Sequence, residues 1–73
     1  MPKYSLVGQD GNAYALMGYT QRALKNEGLG DLCKEMLDNA MSGDYYHLIA
    51  VCDEYLERTN EVAYENGYDE DDD

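Results

Sequence analysis

Apolar side chains recur with a helical period along three stretches of the chain, and breaks rich in glycine and aspartate separate them. In the first stretch Ala13, Leu16, Met17, Thr20, Ala23 and Leu24 share one face. Asn12 precedes it and can accept a backbone N–H of the opening turn, so a helix is predicted over 13–26. Gly28 supplies a left-handed C-cap, and Lys25 in the last turn suits the helix dipole. Gly18 inside this helix costs roughly 1 kcal/mol against alanine and leaves room for another group to approach.

The second stretch places Leu32, Cys33, Met36, Leu37, Ala40 and Met41 on one face, with Asp31 at the N-cap position and Glu35 in the first turn. It predicts a helix over 31–42, stopped by Ser42-Gly43. Asp44 then caps a third and longer helix, predicted over 44–60, whose apolar positions are Tyr45, Leu48, Ile49, Cys52, Tyr55, Leu56 and Thr59. Ahead of all three, Lys3-Tyr4-Ser5-Leu6-Val7-Gly8 reads as a short extended segment, closed by the turn former Asp10-Gly11. No second strand is available to it. The arm over 1–11 therefore either lies on the helices as coil or pairs with the same arm of another copy. The expected fold is all-α: a compact three-helix domain over 1–60, with a short extended N-terminal arm and a disordered acidic C-terminal tail over 61–73.

Charge changes this picture most. The 73 residues carry 16 acidic against five basic side chains, for a net charge of −11. Residues 60–73 hold seven of the acids and no base, and their last run has no apolar periodicity, the pattern of a disordered end. A chain of this length makes one domain with a marginal core, which excludes a large enzyme scaffold. So acidic a body repels nucleic acid and anionic membrane and attracts basic protein surfaces within about a Debye length. No stretch approaches the roughly 20 apolar residues of a membrane span, and no apolar leader follows Met1-Pro2-Lys3, so a cytoplasmic protein is expected. Cys33 and Cys52 are then read as reduced thiols.

Reactive chemistry finds little support. His47 and Cys52 lie five residues apart, about 500° around a helix, and so point in different directions. A Cys33/His47 pair between helices stays open, but no orienting group accompanies it, and both cysteines read as small buried hydrophobes with His47 partly exposed at the surface. Two isolated cysteines and one histidine lack zinc-site spacing. Asp10-Gly11-Asn12 opens like a calcium loop, yet Tyr14, Ala15 and Gln21 occupy positions where a ligand, a glycine and a glutamate belong. The same turn leads into a helix N-terminus without the glycine spacing of a phosphate loop. No enzyme activity, metal or cofactor is expected.

The informative pattern is a ladder. Asp53, Glu57, Glu61 and Glu65 recur every four residues, with Glu54 beside them. Like charges at this spacing destabilise a helix by about 0.2–0.5 kcal/mol per pair, and only Arg58, four after Glu54, gives local relief. In a helix the carboxylates recur every 6 Å or so. If the last five residues, 69–73, are extended, their charges instead recur about every 3.3–3.6 Å, near the 3.4 Å rise per phosphate of one DNA strand. Tyr14, Tyr19, Tyr46, Tyr64 and Tyr68 lie off the apolar stripes, and tyrosine beside carboxylate anchors arginine-rich surfaces. The candidate partner-binding residues are therefore Asp53, Glu54, Glu57, Glu61, Glu65, Asp69, Glu70, Asp71, Asp72 and Asp73, with Tyr46, Tyr64 and Tyr68.

Val7-Gly8-Gln9-Asp10-Gly11-Asn12-Ala13, Leu16-Met17-Gly18 and Ala40-Met41-Ser42-Gly43-Asp44-Tyr45, with Leu48 and Glu54-Tyr55, resemble a group of small proteins carried by bacteriophages and by mobile elements of gut bacteria. The resemblance spans roughly residues 4–59. It implies a phage context inside a bacterial cell and brings no site residues with it. By analogy with small acidic anti-CRISPR proteins, the expected function is that of a DNA-mimicking inhibitor of a nucleic-acid-binding bacterial protein, with no direct contact to nucleic acid. The alternative is a structural or assembly module that dimerises through its N-terminal arm and helix faces.

Overall fold

The computed structural model describes residues 1–68. Asn12 accepts N–H bonds from Tyr14 and Ala15 at 2.9 and 3.3 Å, which satisfies two donors of the opening turn and starts α1, Ala13–Asn26. The helix closes in a Schellman turn. Gly28 takes φ 77°, Leu29 N–H donates to Leu24 C=O at 2.7 Å, and Gly28 N–H donates to Lys25 C=O at 3.2 Å. Leu29, just past the turn, packs on the core. No neighbouring backbone approaches Gly18; a Cβ there would meet only the Arg22 guanidinium, at 3.4 Å.

The second helix is shorter than the periodicity predicts. A 3-10 turn over Gly30–Leu32 leads straight into α2, Cys33–Ala40. Asp31 lies inside that turn, and no side chain caps either element. An N-cap needs an extended backbone, whereas Leu32 before α2 is already right-handed helical, so Asp31 has no cap to make. At the other end Ser42 donates both its N–H and its hydroxyl to Asn39 C=O, and the helix stops at Ala40. Met41, placed on the apolar stripe by its spacing, is 59% exposed because no element covers it.

Asp44 has the extended backbone that Leu32 lacks, and its carboxylate accepts His47 N–H at 2.9 Å. From there α3 runs over Tyr45–Glu65, past the predicted end at 60. It closes with a second Schellman turn: Gly67 has φ 107°, Gly67 N–H donates to Tyr64 C=O, and Tyr68 N–H donates to Ala63 C=O. Ala63 is buried and Tyr68 packs beside it, so residues 61–68 belong to the folded body rather than to a tail. Residues 69–73 of the expected tail lie outside the described residues.

Two apolar clusters hold the helices together. The larger is built from Leu16, Met17 and Leu24 of α1, Cys33, Met36 and Ala40 of α2, and Leu48, Val51, Cys52 and Tyr55 of α3. A smaller one joins Ala23 of α1 to Leu56 and Ala63 of α3 under Tyr4. Thr20 and Thr59 are fully buried, and each hydroxyl donates to the carbonyl four residues earlier, Leu16 and Tyr55 respectively. Because Ala13, Tyr14 and Met17 meet Asp44, Tyr45 and Leu48 at one end while Ala23 meets Leu56 at the other, α1 and α3 run in the same direction.

The arm forms no strand among the described residues and lies on the helices as coil. Asn60 explains how. Its amide oxygen accepts Tyr4 N–H and its amide nitrogen donates to Tyr4 C=O, both at 2.9 Å, so one side chain supplies the donor and acceptor that a neighbouring strand would. The Tyr4 ring inserts between α1 and α3, edge-on to Tyr19, whose hydroxyl accepts Ser5 N–H at 3.0 Å.

Candidate acidic interface on the third helix

Burial of Leu48, Val51, Cys52, Tyr55, Leu56, Thr59 and Ala63 turns one side of α3 inward, and the opposite side is left to the ladder. Asp53, Glu57, Glu61 and Glu65 are all exposed on it. Since the helix persists to Glu65, their spacing is the helical one, and the four carboxylates form a stripe about 18 Å long. The extended spacing that approaches the phosphate rise is expected of residues 69–73, which lie outside the described residues. None of the four has an ion pair among the described residues; Glu54 does, with Arg58 at 3.9 Å across the exposed surface.

Beside the stripe lies an open groove of about 570 Å³, lined by Pro2, Glu57, Asn60, Glu61, Tyr64 and Glu65. Docking of the arm creates it, because Pro2 forms the wall facing α3. Tyr64 is 53% exposed there and presents an aromatic face among carboxylates. Pro2 and Asn60 are the members that sequence reasoning missed, and only the Tyr4–Asn60 pairing brings Pro2 to this place. The other two candidate tyrosines stand apart. Tyr46 sits in the first turn of α3, about 27 Å along the helix from Tyr64, edge-on to Tyr45 at 6.0 Å. Tyr68 is half-buried in the smaller cluster and donates its hydroxyl to Met1 C=O at 3.0 Å, so it braces the arm. Asp69, Glu70, Asp71, Asp72 and Asp73 lie outside the described residues.

No family model, curated protein or solved structure matches this chain.

Several other polar groups are taken up in contacts within the fold. Glu27 is nearly buried, accepts hydrogen bonds from Lys3 Nζ at 2.7 Å and Tyr4 hydroxyl at 2.5 Å, and is held below the usual carboxylate range by those two bonds. Burial, then the Glu27 bond, pushes the Tyr4 phenol up. Tyr55 donates to Glu35 at 2.5 Å beneath the Arg58 guanidinium, and the Glu35 bond raises its phenol above the ordinary value. Burial also pushes the Cys52 thiol up, away from a reactive thiolate. Cys33 and His47 do not pair: the Cys33 thiol faces Gln21 C=O at 3.7 Å, while His47 Nε2 lies 2.8 Å from Asn39 C=O and 3.2 Å from Ser42 Oγ. Among the described residues no three His, Cys, Asp or Glu side chains are grouped to hold a metal, and no helix is long and apolar enough to cross a membrane.

Proposed function

We propose that this protein is a non-enzymatic binding protein that inhibits a nucleic-acid-binding bacterial protein by occupying its basic surface with the outer face of α3. The observation that carries the reading is the exposed stripe of Asp53, Glu57, Glu61 and Glu65, four carboxylates with no ion pair among the described residues. Keeping like charges adjacent on a helix costs stability, so a basic partner that neutralises them gains both the attraction and the relieved repulsion. Tyr64 adds an aromatic face on which an arginine can stack. The stripe imitates a nucleic-acid backbone through its linear charge rather than through phosphate-like spacing.

The test is affinity capture from bacterial lysate, comparing the full chain with a variant carrying Asp53→Asn, Glu57→Gln, Glu61→Gln and Glu65→Gln. The reading expects a nucleic-acid-binding protein on the full chain alone, lost in high salt and displaced by competing DNA. Equal recovery by both baits, or binding indifferent to salt, refutes it.

A further inference from the structure

The groove beside the stripe exists only while the arm is docked. Glu57, Asn60, Glu61, Tyr64 and Glu65 all belong to α3, and the outside of a single helix is convex; Pro2 is the one lining residue that comes from elsewhere. Side chains hold that wall in place. Asn60 lines the groove and bonds both backbone groups of Tyr4, the Tyr4 hydroxyl donates to Glu27, Ser5 N–H donates to the Tyr19 hydroxyl, and Tyr68 donates to Met1 C=O. Lys3 is committed to Glu27 beyond the end of α1 and does not line the groove, so the arm turns an uncharged ring toward the carboxylates.

We propose that the arm is a removable wall: it docks to complete a slot for an arginine side chain of the basic partner, and arm docking and partner binding strengthen each other. The inference rests on the reading of α3 as the binding face. Charge and shape select the occupant. Glu57, Glu61 and Glu65 are exposed without an ion pair among the described residues, and the C-terminal end of α3 adds negative partial charge at the same place. A planar guanidinium can stack on the exposed face of Tyr64 and donate to a flanking carboxylate, with Pro2 closing the slot. A side chain held between both walls binds the docked form better than the released one. By reciprocity it holds the arm down by the same factor.

A tetra-arginine peptide with capped termini, titrated at low salt into the full chain and followed by NMR, tests this. Every variant retains residues 69–73, so attraction to that run is common to all. Tyr4→Ala removes the anchor of the arm and no lining residue of the groove, and should weaken binding about fivefold. Pro2→Gly removes the wall while keeping the Tyr4–Asn60 bonds, and should weaken it about threefold. In the unaltered chain the saturating peptide should slow hydrogen exchange of the Tyr4 and Ser5 amides about fivefold, the factor that reciprocity requires. This exchange measurement decides the matter even if Tyr4→Ala fails to fold. Equal or tighter binding by the folded variants, or unchanged exchange in the saturated chain, overturns the proposal and leaves the stripe reading standing. A peptide that does not bind the unaltered chain, or that binds equally well after neutralisation of Asp53, Glu57, Glu61 and Glu65, overturns the stripe reading and the proposal with it.

Discussion

Replacing Asn60 with alanine removes both hydrogen bonds to the Tyr4 backbone while leaving the α3 backbone a better helix former. Each bond contributes about 0.5–1.5 kcal/mol net, so the pair accounts for about 1–3 kcal/mol. A domain of 73 residues has about 4–11 kcal/mol in total, which makes this a large share. With about 2 kcal/mol lost from the pair of bonds, Tm falls by about 8–16 °C for a chain of this size. Circular-dichroism melts supply Tm, and urea unfolding shows through the m-value whether the arm has left the native state. Asn60→Asp is the informative companion, since it keeps the acceptor for Tyr4 N–H, loses the donor to Tyr4 C=O, and adds a carboxylate between Glu57 and Glu61. Tyr4→Ala completes a cycle: both single changes release the same arm, so the double variant should cost little more than the worse single one. A Tm within about 2 °C of the unaltered protein, or fully additive effects, refutes the view that Asn60 holds the arm.

Substituting Glu57→Gln and Glu61→Gln together removes all three neighbouring like-charge contacts of the stripe and should raise stability by about 0.6–1.5 kcal/mol at low salt, with the gain shrinking as salt rises; a loss in urea unfolding contradicts it. Glu27 has its folded pKa below the ordinary 4.5, so its contribution is complete above that pH and is lost as pH falls through the folded value. The gap in Tm between the unaltered chain and Glu27→Gln should accordingly be wide at neutral pH and close in acid, and a gap that persists in acid argues against it. A Cβ at Gly43 would sit 2.6 Å from His47 Cγ and 2.8 Å from its Cβ, too close to the helix for a side-chain rotation to relieve. Gly43→Ala should therefore cost about 1–3 kcal/mol in a denaturant melt, with partial recovery when His47→Ala is added.

The groove is a clear case of a site only half legible along the chain. The carboxylates of its floor are readable from a four-residue repeat, because a helix puts such residues on one face whatever surrounds it. Its other wall is Pro2, brought there by contacts between residues 4 and 60 that no local pattern announces. The course of α3 beyond residue 60 was readable in principle, since Asn66-Gly67 is a C-cap signal; the weight of acids in 61–73 masks it.

By itself the sequence determined the starts of α1 and α3, the Gly28 turn and most of the inward faces. Each of these is decided within one or two turns, by a side chain capping its own helix or by the period of apolar residues. Tertiary structure decided the rest. Val51, off the assigned stripe, is buried because α3 packs against both α1 and α2 and so needs a wider apolar face than either. Met41 lies on its stripe and is exposed because α2 ends before anything covers it. Tyr19 and Tyr68 brace the arm while Tyr14, Tyr46 and Tyr64 face outward, although all five stand off the apolar stripes. A tyrosine has an apolar ring and a polar tip, so its sequence position fits either role, and the neighbour that meets it in the folded chain makes the choice.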